Sequence, residues 1–363
     1  GLTGYGSTSD ATPAPEIQGS SASSNMGNLD FTSTWETVEN DDADTTGDGY
    51  PILQSIDRQA QLEAQDVYAY AGGDGSTDNP YEIANWYHLN NTRENLGSEF
   101  ILTADLDSNT AGYDDVASSS ANGGNGFDPI GDDGSRFTGT FNGTGHTISN
   151  LSIDRGGTFD VGLFGYVNGG IIENIGVKNA DITGKERVGG LVGKNFGTVS
   201  NSYATGNVYG DEEVGGLVGF NFGNTTASYA TSDVSGTGND VGGLVGSNVG
   251  NTSESYATGN VSGTGIKNVG GLAGVSEGEI TESNATGTVS GNNLAGGLVG
   301  VNTGTVTESY ATGNVSGTGD VVGGLVARNF GARVTKSYAT GSVTGTKGVG
   351  GLVGINSGIS SAK

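Results

Sequence analysis

Small apolar residues alternate with polar ones over most of this chain, and from residue 161 onward the alternation recurs as a unit. One unit runs from Gly304 to Val326: Val306, Tyr310-Ala311, Val315, Val321-Val322 and Leu325-Val326 stand between Gly, Ser, Thr and Asn. A segment of the form V-G-G-L-V-G marks each unit, its copies beginning at Val188, Val214, Val241, Val269, Ala295, Val322 and Val349, 26 to 28 residues apart. A degenerate copy, Val161-Gly162-Leu163-Phe164-Gly165, precedes them by 27 residues. A fixed period of this length is the signature of stacked repeats. The β-branched and aromatic residues favour strands and the Gly-containing pairs favour turns. Each period therefore predicts about three strands of roughly 5 residues, as one coil of a β-solenoid needs. At ~4.8 Å per coil, eight coils span about 38 Å.

Stacking in register places like over like. An Asn follows the box in almost every unit (Asn195, Asn221, Asn248, Asn302, Asn329, Asn356), and a Tyr follows the Ser of an S-Y-A-T box (Tyr203, Tyr229, Tyr256, Tyr310, Tyr338). Amide ladders and stacked rings are expected from such rows. Each row is interrupted once, at Ser276 and at Asn284. The small Ala and Ser beside each Tyr predict a thin core.

The first 160 residues read differently. Residues 1–28 are rich in Ser, Thr, Gly, Ala and Pro and read as an extended arm. Leu29 to Gln54 reads as two strands around an acidic loop. Helical spacing predicts a helix from Ile56 to Tyr68 and another from Ile83 to Leu96, with Gly97 as its C-cap. Glu99–Thr103, Phe137–Phe141 and Ile148–Ile153 read as strands, and Ser108–Asn125 as a surface loop.

Composition sharpens this picture. The 363 residues include 70 Gly and no Cys, which excludes disulfides and thiolate metal sites. Forty acidic residues against 14 basic ones give a formal net charge of −26. Such a chain repels phosphate, so nucleic acid and anionic membrane surfaces are not expected partners, and without an apolar run of ~18 residues no direct membrane insertion is expected. Self-repulsion is screened when the Debye length falls to ~3 Å at 1 M salt. The excess of acid points to hypersaline medium, although an ordinary acidic secreted protein would share it.

At this point the residues resemble a known family, that of GLUG-motif repeats of large secreted and surface-attached microbial proteins. The G-L-V-G box carries the resemblance. Pro80-Tyr81-Glu82-Ile83-Ala84, Ile101 to Asp107 and Phe137 to Ile148 resemble the family's opening module. The resemblance implies a mainly β fold, a right-handed parallel β-helix of ~27-residue coils with one or two short helices in the N-terminal part. It divides the chain into an arm (1–28), a closing-type module (29–70), an opening module (71–160) and the solenoid (161–363). The closing-type element, Trp35 with Tyr50-Pro51-Ile52-Leu53, here comes before the opening module. Gly1-Leu2-Thr3-Gly4 resembles the tail of a G-L-V-G box, and Lys363 falls part-way through a coil. The ends read as halves of one interrupted domain.

A bare solenoid end invites pairing with another chain. The expected function is thus a structural subunit of an extracellular cell-surface filament. Residues 1–54 of one copy would complete the C-terminal coil of the next, head to tail, in a homopolymer. Alternatives are a piece of a larger adhesin that binds surface carbohydrate or a neighbouring cell, self-capping by the same segment, and a β-helix carbohydrate-active enzyme.

Candidate chemistry is sparse. His88 and His146 stand on different elements without triad or metal spacing and read as structural. No recurring carboxylate pair marks the repeats, so no enzyme is expected. Asp42, Asp44, Thr46 and Asp48 place oxygens at alternate positions around Gly47, like the first half of a calcium loop. Leu53 replaces the bidentate Glu such a loop would need, and a solvated acidic turn fits equally. N-x-S/T sequons fall at Asn90, Asn142, Asn150, Asn224, Asn251, Asn260, Asn284 and Asn314. At Asn284 the sequon coincides with the missing Tyr, and a glycan would fit there if the Tyr row faces solvent.

Overall fold

The computed structural model describes residues 35–37, 51–53, 69–265, 268–319 and 321–357. Its contacts divide the chain into two units, Gly1–Ala69 and Tyr70–Lys363. In the first unit Trp35–Thr37 and Pro51–Leu53 pair antiparallel, Trp35 opposite Leu53. These are the two strands expected around the acidic loop. The loop itself, the arm and the expected helix from Ile56 to Tyr68 lie outside the described residues.

The second unit is a parallel β-solenoid built on three sheets. One sheet has eight strands, one for each coil. Its valines stack in register from Val161 through Val188, Val214, Val241, Val269, Ala295 and Val322 to Val349. Inside the stack run continuous apolar columns. Leu163, Leu191, Leu217, Leu244, Leu272, Leu298 and Leu325 are all fully buried, as are Ala204, Ala230, Ala257, Ala285 and Ala311. The Ala column faces the backbone of the G-G corner: a Cβ on Gly216 would lie 2.9 Å from that of Ala230. The core is thus thin where the sequence places its smallest residues.

Three strands per coil hold only for the first turns, in which Phe164–Glu173, Gly176–Thr183 and Glu186–Gly189 form one circuit. Further along, each circuit breaks into five short pieces, such as Val245–Asn248, Asn251–Ser253, Tyr256–Ala257, Val261–Gly263 and Asn268–Gly270. One corner is common to all coils and falls at residues with positive φ, Asn174, Asn201, Ala227, Glu254, Glu282, Glu308 and Lys336, which turn the chain between sheets; the added breaks fall elsewhere, at Val249-Gly250 and at 258–260 in the coil just described. Position, not residue type, sets this bend, so no Gly marks it in the sequence.

The opening module closes the other end with aromatic rings. Tyr81–Ile83, Glu99–Leu102 and Thr140–Asn142 extend the large sheet in parallel register onto Phe164–Glu173. Phe137 and Phe141 lie 5.0 and 5.3 Å from the ring of Phe164, which stands where later coils have Val or, once, Ala273. The expected helix from Ile83 to Leu96 is shorter. Ile83 ends a strand, Asn85 caps the helix by accepting from the His88 N–H at 2.9 Å, and the helix spans Trp86–Asn91 before a 3-10 turn, Thr92–Asn95. Sheet pairing of Tyr81-Glu82-Ile83 overrides the helical periodicity there. The expected loop 108–125 carries one single helical turn, Tyr113–Val116, and a tight turn at Ala121–Gly124 in which Asn122, Gly123 and Gly124 have positive φ.

Candidate functional site

Stacking creates rows of like residues, and function is sought first in those rows. Two rows are internal. The Asn amides form a buried ladder: Asn195 Nδ2 donates to Asn221 Oδ1 at 2.8 Å, Asn221 to Asn248 at 2.9 Å, Asn302 to Asn329 at 2.8 Å and Asn329 to Asn356 at 3.0 Å. Ser276 interrupts it: Asn248 reaches Ser276 Oγ at 3.3 Å, while Asn302 Oδ1 is left without a partner. A second internal row was not read from the sequence. Each Ser of the S-Y-A-T boxes accepts the N–H of its counterpart one coil earlier, from Ile175 and Ser202 through Ser228, Ser255, Ser283 and Ser309 to Ser337. Each hydroxyl also donates to the carbonyl two residues before it. The invariant spacing of these serines was the available signal. Both rows hold coils in register and leave nothing to bind a ligand.

The Tyr row is external. Tyr203, Tyr229 and Tyr256 stack at 4.7 Å with rings parallel within 2°, and Tyr310 and Tyr338 at 5.1 Å. Tyr256 is 36% and Tyr338 52% exposed. At the head of the row Gly176 replaces Tyr, and the Tyr203 ring leans over it. A cleft of about 460 Å³ opens there, lined among others by Asn142, Asn174, Asn201 and Tyr203. Ring faces beside amides are a surface suited to sugars. A second aromatic patch lies on the large sheet: Phe222 stacks on Phe196 at 4.8 Å, and Lys194 and Arg136 lie 4.2 and 4.8 Å from the Tyr166 ring.

A charged row, Asp160, Arg187, Glu213 and Asp240, runs along the corner before the first four boxes. Arg187 donates to Asp160 and pairs with Glu186 at 3.3 Å and Glu213 at 3.9 Å. Asp240 accepts from Asn268 at 2.6 Å. Burial pushes the Glu213 carboxyl up to about 7; Arg187 opposes this, and Asp240, Glu186 and Glu212 reinforce it. A carboxyl raised in the folded chain contributes stability that is full below its ordinary value of 4.5 and is lost as pH rises through about 7. We expect the wild-type chain to lose thermal stability relative to Glu213→Gln between those limits. Melting curves across pH check this; a constant difference between the two chains would contradict it.

Of the residues singled out in the sequence, His88 is buried against its own helix cap, its Nδ1 accepting from the Ala84 N–H at 3.2 Å. His146 pairs with Asp105 at 3.2 Å in a turn. The structure does not bring the two together. Asp42, Asp44, Thr46 and Asp48 lie outside the described residues, and among the described residues no group of three or more His, Asp or Glu is placed to hold a metal. Asn224, Asn251, Asn260 and Asn314 are exposed, whereas Asn90, Asn142, Asn150 and Asn284 are half-buried.

Comparison with known proteins agrees with the repeat. Residues 184–209, 265–290, 291–316 and 319–344 match the GLUG motif. The chain is 39% identical over 183 residues to halomucin of Haloquadratum walsbyi, covering 49% of this chain and 2% of that protein. It is 38% identical over 142 residues to a protein of Evansella cellulosilytica that goes by the provisional name of Gly-rich membrane protein, covering 38% of this chain and 16% of the other. The chain thus spans only small parts of these relatives. In structure it is similar to a Bacteroides ovatus protein provisionally named an immunoglobulin A1 protease, with a TM-score of 0.53 at 23% identity over 78% of this chain and 87% of that one. That likeness concerns the fold alone. The chain is a parallel β-solenoid that carries GLUG motifs in four segments, and no helix among the described residues is long and apolar enough to cross a membrane.

Proposed function

We propose that this chain is a non-enzymatic structural subunit outside the cell, stacked end to end into a surface filament. One observation carries the proposal. In the last described coil Val349 and Leu352 are 48% and 42% exposed, whereas Val322 and Leu325 one coil earlier are fully buried. The strands Val349–Gly350 and Val353–Asn356 pair with the preceding coil on one side, and among the described residues their other edge is open. An apolar cross-section beside open backbone groups favours addition of a further layer. In the proposed filament residues 1–54 of the next copy supply that layer. The similarity to halomucin and to a membrane-named protein supports a place at the cell surface, and a salt-rich setting fits the net charge of −26.

Light scattering and negative-stain microscopy of the purified chain in molar salt test the proposal. Polymers are expected, and Leu352→Asp, at an exposed position, is expected to yield monomers with unchanged β content. A wild-type chain that stays monomeric at every concentration would remove the filament.

A second reading is favoured by the cleft at Asn142, Asn174, Asn201 and Tyr203: a module of an adhesin that holds surface carbohydrate. Binding of glycans by monomeric chain, abolished by Tyr203→Ala, would distinguish it.

A further inference from the structure

The interrupted Tyr row has a geometry of its own, independent of whether the chain polymerises. Asn284 stands in register between Tyr256 on one coil and Tyr310 on the other. Elsewhere in the row consecutive rings lie 4.7 to 5.1 Å apart. Two coil steps therefore separate Tyr256 from Tyr310 by about 9.6 Å. Two parallel rings at this separation leave room between them for one further ring, about 4.8 Å from each, within the range at which ring faces pack. The gap opens to solvent, since Tyr256 is 36% exposed and Asn284 half-buried.

The same residue is the acceptor of the sequon Asn284-Ala285-Thr286. At three of the other seven sequons the amide nitrogen is already engaged. Asn142 Nδ2 donates to Glu173 at 2.8 Å, Asn251 Nδ2 to Asn224 at 3.2 Å and Asn260 Nδ2 to Asp233 at 3.2 Å. The Asn284 backbone N–H donates to Ser255 O at 3.0 Å, and no hydrogen bond is given to its side chain among the described residues. Its Nδ2 is free to carry a substituent.

We propose that the gap between Tyr256 and Tyr310 holds the first pyranose ring of a glycan attached to Asn284. The apolar faces of the sugar lie against the two rings. Exposed Thr258, Thr286 and Thr312 offer hydroxyls at its rim. Glu308 is paired with Lys336 at 2.6 Å, while exposed Glu254 and Glu282 make the surroundings acidic, which selects a neutral sugar over a uronate or a sulfated one. The donor is a lipid-phosphate-linked oligosaccharide acted on by a transferase. The bond from sugar C1 to phosphate oxygen breaks, a C1–Nδ2 bond forms, the amide gives one proton to a base of the transferase, and the lipid phosphate leaves. The attached ring would restore the continuity that the row loses at this coil.

The test uses the chain isolated from the cells that make it. Mass mapping is expected to find a neutral hexose or N-acetylhexosamine on the peptide containing Asn284. In the folded protein the ring protons of that sugar are expected to shift upfield, under the ring currents of Tyr256 and Tyr310. The glycan should resist enzymatic release from the folded chain and become releasable in Tyr256→Ala. Asn284→Tyr, which copies its neighbours in the row, should fold and lack the added mass. A bare Asn284 in the isolated chain overturns the proposal. So does a glycan whose ring protons resonate as in free sugar, because it then sits outside the gap.

Discussion

Asn221→Ala is expected to loosen the array where it is cut and to spare coils far from it. Asn221 is fully buried and takes part in two amide bonds, accepting from Asn195 at 2.8 Å and donating to Asn248 at 2.9 Å. Truncation removes the best partner of both neighbours inside a dry core. A buried polar group left without its partner costs about 1–3 kcal/mol, and two are affected here. Repeats of this kind interact chiefly with their nearest neighbours, so the loss should appear as faster amide exchange in the coils on either side. Ser276→Asn should move the other way. It supplies an Nδ2 to Asn302 Oδ1, which now lacks a donor, and an Oδ1 to Asn248 in place of a 3.3 Å contact with a hydroxyl. A gain of about 1–3 kcal/mol is expected, seen as a higher melting temperature and slower exchange across that joint. Equal exchange in wild type and Ser276→Asn would show that the row contributes no register-specific stability.

This pair of substitutions also marks how far the sequence could be read. The Asn and Tyr rows were legible because their residues repeat in kind as well as in place, and the interruptions at Ser276 and Asn284 were visible for the same reason. The Ser row repeats as well, yet the small size of Ser pointed to a thin core and not to a hydrogen-bonded ladder. The charged row was not legible at all. Asp160, Arg187, Glu213 and Asp240 share one position but not one chemistry, and the series continues through Asn268, Leu294 and Val321. What they share is a backbone: the first four have positive φ, between 52° and 62°, and the last three do not. Neither propensity nor hydrophobic pattern reports that. In the opening module the helical spacing from Ile83 was real, but the strand Tyr81–Ile83 belongs to a sheet in which its partner residues lie 19 positions away, beyond any local pattern.

That hidden row explains a glycine that repeats in the box, and it yields a prediction with a large effect. The last Gly of each box packs on the peptide of the charged-row residue one coil earlier. A Cβ on Gly219 would lie 2.5 Å from both the carbonyl carbon of Arg187 and the nitrogen of Val188, with backbone on each side unable to yield. Gly219→Ala is therefore expected to cost about 3 kcal/mol or more, the upper range for overpacking. Where the positive φ is lost, the wall recedes. At Gly300 the carbonyl carbon of Asn268 is 3.0 Å away, although the Gly274 carbonyl oxygen still stands at 2.5 Å, so Gly300→Ala should cost less. One box later, over Leu294, the chain itself carries Ala327, fully buried within a cluster of Leu294, Val301 and Val321. There the methyl stabilises: Ala327→Gly should lose about 1–2 kcal/mol, from about 0.8 for the buried group and 0.5–1 for added backbone freedom. Denaturation of the three variants, with exchange read coil by coil, should rank Gly219→Ala as the most damaging. If Gly219→Ala were as mild as Ala327→Gly, the backbone of the charged row would not be what reserves this position for glycine.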